Sequence, residues 1–175
     1  MKKIFNYFKR WFKLIPVNIH LRKAKRKGLK TGKNFVIYSR IDFGSEPYLI
    51  SIGDNVRISI GCMFVTHDGG TWVINNIDGK KRDIFGKIKI GNNVHIGPYS
   101  IIMPGVTIGD NVVIGCSSLV TKDIPSNCVA FGSPAKVYET IDEYKEKAGK
   151  KALFTNGMSF KCKRKHVEEF FDSES

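Results

Sequence analysis

The sequence predicts an all-β solenoid, a parallel β-helix, because apolar or small residues recur with a period of six. One series recurs at every sixth position from 88 to 124, and a second apolar series follows two places behind it. The first comprises Ile88, Val94, Ser100, Val106, Val112, Ser118 and Ile124, and the second Ile90, Ile96, Ile102, Ile108, Ile114 and Val120. A period of six fits neither a helix nor a hairpin. It fits a short strand and a tight turn that form one side of a triangular coil, with each coil stacked on the next.

Glycines follow the second series at positions 91, 97, 109 and 115, and residues 50–61 carry the same phase. Gly91 and Gly109, with the Asn and Asp residues beside them, are expected to supply the unusual backbone angles of the corners. The repeat therefore extends well beyond its most regular part.

The period breaks over residues 66–87, which predicts an inserted loop rich in Gly, Asn, Asp and Lys. Loops carried by a rigid scaffold are frequent sites of binding and catalysis. These patterns divide the whole chain into three segments: a basic amphipathic segment over 1–33, a β-helix domain over 34–137 that includes the inserted loop, and a helical, polar extension over 138–175. In the extension, residues 138–151 are expected to form a polar helix.

The formal net charge of +13 is concentrated in the first 33 residues, which contain twelve Lys and Arg and no Asp or Glu. The remainder is almost balanced, which argues against nucleic-acid binding. Apolar residues between 4 and 15 follow helical spacing: Ile4, Phe5, Phe8, Trp11, Phe12 and Ile15. This segment is expected either to contact an anionic membrane through residues 2–27 or to pack on the β-helix or within an oligomer.

The composition indicates a globular protein, with 42% hydrophobic and 26% charged residues. Its apolar runs are too short to cross a bilayer, and its N-terminus lacks the apolar core of a secretory signal. We therefore expect a cytoplasmic protein, with peripheral contact at the inner face of the membrane as an additional hypothesis. The four cysteines lack zinc-site spacing, and Cys62 and Cys116 are expected to fill small positions in the repeat.

Four segments carry a resemblance to a known family: IKIGNNVHIG over 88–97, MPGVTIGDNVVIG over 103–115, SLVTKDIP over 118–125 and GSPAKV over 132–137. With them, residues 35–140 resemble the galactoside/maltose and xenobiotic acetyltransferases and their relatives that O-acetylate bacterial polysaccharides. The resemblance implies a left-handed parallel β-helix, against the usual right-handed crossover rule. It also implies a homotrimer, acetyl-CoA as co-substrate between subunits, and no metal.

The resemblance also implies particular site residues. A catalytic histidine is expected just before the inserted loop, and His67 stands there. The coenzyme site is expected to comprise His95, Gly97, Gly115, Cys116, Thr121, Lys122 and Lys136. His95 stands where relatives commonly have tryptophan, which preserves a flat ring with less packing area and adds a competing histidine.

Acetyl transfer from a thioester to an alcohol requires removal of the hydroxyl proton, and imidazole is suited to this near neutral pH. His67 is therefore the predicted general base, in direct transfer without an acyl-enzyme. Asp42 and Glu46 are candidates for acceptor contact or for ordinary turn roles. His20 and His166 are expected to be surface residues.

The predicted function is acetyl-CoA-dependent O-acetylation of a sugar or glycan-precursor hydroxyl. An antibiotic or an amino sugar remains an alternative acceptor. Two alternative functions belong to other classes. One is a metalloenzyme like the γ-type carbonic anhydrases, for which the repeat has too few histidines, and the other is a non-enzymatic polyanion-binding scaffold.

Overall fold

The structure, a computed structural model, describes residues 19–173. The predicted amphipathic helix over residues 4–15 lies outside the described residues. The chain divides into two compact units, Met1–Asp142 and Glu143–Ser175. A helix, α1, is present over residues 19–26, at the beginning of the described part.

The β-helix consists of short strands, as the six-residue period predicts. They are β1 (Lys30–Thr31), β2 (Val36–Ile37), β3 (Ile50–Ile52), β4 (Arg57–Ile58), β5 (Met63–Phe64), β6 (Ile88–Ile90), β7 (Val94–Ile96), β8 (Ile101–Ile102), β9 (Thr107–Ile108), β10 (Val112–Ile114), β11 (Leu119–Val120), β12 (Cys128–Gly132) and β13 (Ala135–Thr140). A 3-10 turn at Pro47–Leu49 leads into β3.

The strands form three sheets, the three faces of the solenoid. Sheet A has the order β1-β3-β6-β9, sheet B the order β13-β12-β10-β7-β4-β2, and sheet C the order β11-β8-β5. All pairs are parallel except β12 with β13. Val94 pairs with Val112, eighteen residues later, so three six-residue units make one coil.

Both apolar series of the repeat point into the core. Every member of the two series is at most 5% exposed, from Ile88 at 0% to Ile124 at 5%. The hydroxyls of Ser100 and Ser118 each donate a hydrogen bond to the carbonyl of Gly115, at 3.0 and 2.8 Å, so they can lie in the core at little cost. The predicted parallel β-helix is confirmed in its strands, period and core.

The corner between sheets A and B carries a ladder of asparagines, hereafter the asparagine corner: Asn34, Asn55, Asn93, Asn111 and Asn127. All five have positive φ angles, between 53° and 62°. Side-chain amides of successive coils are joined at 2.8 to 2.9 Å, as from Asn93 to Asn111 and from Asn111 to Asn127. Asparagine tolerates the left-handed region better than most residues and bonds its neighbours at the same time.

Gly91 and Gly109 have a different role from the one predicted. Neither has a positive φ. A Cβ on Gly91 would lie 2.7 Å from the carbonyl carbon of Gly109 in the next coil. These glycines are required because the coils approach closely there, while the asparagines take the left-handed angles.

The segment predicted as an inserted loop contains a helix, α2, over Thr71–Asp78. It ends at Gly79, whose φ of 71° is the left-handed conformation typical of a helix C-terminus. The side-chain amide of Asn75 bonds the backbone N–H and carbonyl of Arg82, which turns the chain back.

After β13 the chain forms helices α3 (Ile141–Lys151) and α4 (Phe160–Ser173). Helix α3 begins three residues later than predicted, because residues 138–140 belong to β13 and pair with β12. Within residues 19–173, no helix has both the length and the apolar character needed to cross a membrane.

Candidate active site

The corner between sheets C and A departs from the regular repeat and carries the predicted catalytic histidine. It comprises residues 44–49, 66–87, 104–105 and 121–123 in successive coils and is called the insertion corner hereafter. Asp42 pairs with Met63, so residues twenty-one apart are neighbours in the first two coils. This register places Glu46 beside His67.

A short antiparallel ladder closes the insertion at its base and fixes His67. The Gly86 N–H donates to the Thr66 carbonyl at 3.0 Å, and the Asp68 N–H donates to the Ile84 carbonyl at 2.8 Å. His67 lies between them opposite Phe85, with ring centroids 6.2 Å apart. The insertion therefore holds the imidazole at a defined place on the scaffold.

One oxygen of the Glu46 carboxylate contacts two side chains of the neighbouring coil. Glu46 Oε2 accepts a hydrogen bond from Thr66 Oγ1 at 2.6 Å and lies 3.2 Å from His67 Nδ1. Ser45 Oγ is 3.4 Å from the same nitrogen. The Glu46 side chain is 16% exposed and that of His67 is 44% exposed, so the carboxylate is shielded while the imidazole stays accessible.

The Thr66 hydroxyl holds the pKa of Glu46 below its ordinary value, and hydrogen bonds from Ser45 and His67 act in the same direction against partial burial. Glu46 is therefore a carboxylate at neutral pH. Because a carboxylate only accepts hydrogen bonds, its contact with His67 favours a proton on Nδ1 and leaves Nε2 as the acceptor.

Asp42 and Glu46, the two candidates for acceptor contact, differ in their surroundings. Asp42 Oδ1 accepts the Gly44 N–H at 3.0 Å, which is an ordinary turn role. Glu46 is bonded to His67 instead of standing free. The contact between Glu46 and His67 could have been predicted from the offset of twenty-one residues between the first two coils. The irregular stretch before Ile50 obscures this offset in the sequence.

Thr121 and Lys122 lie on the same corner as His67. Met63, Ile101 and Leu119 are paired in successive coils, so Thr121 lies in line with Val65 two coils further along. With coils about 4.8 Å apart, this separation is about 10 Å along the solenoid. Lys122 is exposed.

His95 lies elsewhere, on the outward side of sheet B, where it pairs with Arg57 and Val113. A cavity of about 560 Å³ beside it is lined by this face of sheet B and by the asparagine corner. Burial lowers the pKa of His95, and the Arg57 charge lowers it further. Both effects favour the neutral form of His95. It lies on a different face of the solenoid from the insertion corner that carries His67.

The remaining predicted coenzyme residues lie near sheet B and its corner with sheet C. A Cβ on Gly97 would meet the Cys116 nitrogen at 2.7 Å, and one on Gly115 would meet Phe131 Cβ at 2.6 Å. The close stacking of the coils is therefore sufficient to explain why glycine is needed at both positions, independently of any contact with the coenzyme. Cys116 is exposed, contrary to the expectation that it fills the core, whereas Cys62 is buried. Lys136 is exposed in β13, opposite Phe131.

His20 is not the simple surface residue that was expected. It is half-buried, with Nε2 2.5 Å from the Ile41 carbonyl, and its ring stacks on Phe43 with centroids 6.2 Å apart. In the part of the chain that the structure describes, no three His, Cys, Asp or Glu side chains are grouped so that they could hold a metal ion.

Comparison with known proteins identifies relatives with this fold. Residues 87–122 match the family model described as bacterial transferase hexapeptide (six repeats). Protein CapG of Staphylococcus aureus is 43% identical over 166 residues, which cover 94% of this chain and 92% of that protein.

Two solved structures are similar over the β-helix. A maltose O-acetyltransferase from Clostridium difficile 630 has a TM-score of 0.55 at 39% identity, over 63% of this chain and 57% of that one. A galactoside acetyltransferase in complex with coenzyme A has a TM-score of 0.52 at 33% identity, over 70% of each chain. This chain thus spans a little over half of the maltose O-acetyltransferase.

The chain belongs to the hexapeptide-repeat acetyltransferases and is an acyltransferase. The family implies a left-handed sense for the β-helix. The resemblance of the sequence to this family is confirmed.

Proposed function

We propose that the chain transfers the acetyl group of acetyl-CoA to a sugar hydroxyl, with His67 as the general base. The observation that carries the proposal is the contact of 3.2 Å between Glu46 Oε2 and His67 Nδ1 at the edge of the insertion. The names of the galactoside and maltose acetyltransferases that resemble this chain support a sugar as the acceptor and acetyl-CoA as the donor.

In this reaction the acceptor O–H gives its proton to Nε2 of His67 while its oxygen forms a bond to the acetyl carbonyl carbon. The carbon–sulfur bond then breaks, and the imidazolium returns the proton to the departing thiolate. Glu46 holds the ring in one tautomer and stabilises the imidazolium, so it is a positioning residue. No enzyme nucleophile is needed.

We also propose that a complete site requires more than one copy of the chain, in a homotrimer. Thr121 and Lys122 share the insertion corner with His67, whereas His95, Gly97, Gly115, Cys116 and Lys136 lie on or beside sheet B. A coenzyme that contacts both groups would lie between the corner of one copy and sheet B of the next. Light scattering in solution tests this, and a monomer that retains full activity would contradict it.

A third part of the proposal is peripheral membrane contact through residues 2–27. Its support is the concentration of twelve Lys and Arg in the first 33 residues and the exposed positions of Arg22, Lys25 and Arg26 on α1. Sedimentation with vesicles containing anionic lipid should carry the full chain down, and removal of residues 2–15 should abolish this.

The decisive experiment measures acetyl-CoA consumption through thiol release, with a panel of sugars and glycan fragments. His67→Ala should lower kcat by about 100-fold or more, as loss of a general base does. His166→Ala, a change of the same type in the C-terminal unit, is the matched control and should have no effect. Full activity of His67→Ala would refute the assignment of His67 as the general base and make His95 the next candidate for that role.

A further inference from the structure

A basic cleft adjoins the loop that carries Glu46 and has no part in the proposed proton transfer. It consists of two neighbouring cavities of about 210 and 320 Å³ that share His20, Arg40 and Asp42. Lys23 of helix α1 and Lys27, in the turn that follows α1, line the first cavity, and Met63 lines the second. Two separate elements, α1 and the first coil, therefore bring cations to one place.

The charges of the cleft are largely uncompensated. Lys23, Lys27 and Arg40 are exposed, and among residues 19–173 none of the three has a carboxylate within ion-pair distance. Asp42 is the one carboxylate in the lining, and it already accepts the Gly44 N–H. Three fixed cations thus face one anion, before any charge on His20 is counted.

The cleft is continuous with the loop that carries Glu46. Gly44 and Pro47, which flank Ser45 and Glu46, both line the first cavity. A Cβ on Gly44 would lie 2.6 Å from Thr66 Oγ1, so this loop packs directly against the coil that bears His67. Glu46 is the fourth residue after Asp42, which limits the distance between their Cα atoms to about 14 Å.

We propose that the acetyl acceptor is a sugar bearing a phosphate or diphosphate, which Lys23, Lys27 and Arg40 bind while a sugar hydroxyl reaches His67. This inference rests on the proposed acetyl transfer and names its substrate class. A neutral sugar would leave three cations beside the reacting centre without a ligand. Phosphate oxygens accept several charge-assisted hydrogen bonds, for which the fork of arginine and the ammonium groups of lysine are suited.

A sugar diphosphate can come from a nucleotide or from a lipid carrier, and the experiment separates the two. The probes are uridine diphosphate N-acetylglucosamine, the same sugar linked through diphosphate to a short polyprenol in detergent micelles, and its neutral methyl glycoside. Calorimetry measures binding of each probe to the full chain, and thiol release measures transfer.

The test variant is the double substitution Lys27→Gln with Arg40→Gln. Loss of two charge-assisted contacts should weaken binding of a diphosphate sugar by about 10- to 100-fold. The KM for acetyl-CoA and the affinity for the methyl glycoside should not change. Lys30→Gln is the matched control, because Lys30 is exposed, lies three residues after Lys27 and does not line the cleft.

The inference is supported if a diphosphate sugar binds the wild type and Lys30→Gln but not the double variant. The probe that binds then identifies the source. Equal binding of the methyl glycoside, unaffected by the double variant, would overturn it and leave acetyl transfer intact. Equal weakening by Lys30→Gln would also overturn it, since the cations would then act as a diffuse surface. Absence of transfer to every acceptor would instead refute the proposed reaction.

Discussion

The asparagine corner and the insertion corner belong to the same coils but have opposite chemistry. At the asparagine corner, amide side chains of successive coils bond one another, so their polar groups are used within the scaffold. At the insertion corner the repeat is interrupted, and the contacts are between different residue types, as between Glu46 and His67. Regularity stabilises the solenoid, and its interruption leaves polar side chains available for chemistry.

The largest effect should come from the pair at the insertion corner. Glu46→Gln removes the carboxylate that favours the reactive tautomer of His67, and we expect kcat to fall by about 10- to 100-fold. The KM for acetyl-CoA should stay the same, and the pH dependence of kcat should change. Glu146→Gln, the same substitution at an exposed position of α3, is the matched control and should leave kcat unchanged. An unchanged pH profile would contradict a positioning role.

A pair of glycine substitutions compares the packing of the two regions. Gly91→Ala should destabilise the protein by about 1–3 kcal/mol, because the added Cβ would overlap the backbone of the next coil. A Cβ on Gly69, in the insertion, would meet no atom within 4 Å. Thermal unfolding should therefore show a clear loss for Gly91→Ala and little change for Gly69→Ala. Equal losses would mean that the insertion is packed as tightly as the coils.

The asparagine ladder can be interrupted at its centre. Asn111 has a φ of 56° and bonds both Asn93 and Asn127. Asn111→Ala should cost about 1–2 kcal/mol, because alanine is strained in the left-handed region. Asn111→Gly should cost less, since glycine adopts this angle freely. If denaturant unfolding ranks the two variants in the reverse order, conformation is not what selects asparagine here.

The lowered pKa of Glu46 predicts a pH-dependent contribution to stability. A carboxylate whose pKa is depressed by folding stabilises the protein above the ordinary glutamate pKa of about 4.3, and this stabilisation is lost as the pH falls through the folded-state value. The difference in unfolding free energy between wild type and Glu46→Gln should therefore shrink in acid. A difference that does not change with pH would show that Glu46 acts through packing alone.

The smallest expected effect concerns His95 on sheet B. Because burial and the Arg57 charge lower its pKa, its NMR titration midpoint should lie below the ordinary histidine value of about 6.5. Arg57→Met should raise the midpoint, while Arg82→Met in the insertion should leave it unchanged. A midpoint that does not respond to Arg57→Met would contradict the electrostatic part of this explanation.

Much of the β-helix could be predicted because its determinants are local and repeated. The series from Ile88 to Ile124 and from Ile90 to Val120 both fill the core, as the period of six predicts. The roles of individual corner residues were harder to predict: Gly91 and Gly109 were expected to supply the backbone angles together with the neighbouring Asn and Asp residues, and only the asparagines do so. Sequence alone does not separate a glycine needed for its φ angle from one needed for close approach.

The sequence by itself determined the period, the core positions, the break at residues 66–87 and the family, because each is written as a pattern along the chain. Only the tertiary structure decided that Glu46 contacts His67, that His95 lies on another face and that Arg40 lines one cleft with Lys23 and Lys27. These arrangements bring together residues that are distant in the sequence, through the register of irregular coils, which a six-residue pattern does not encode.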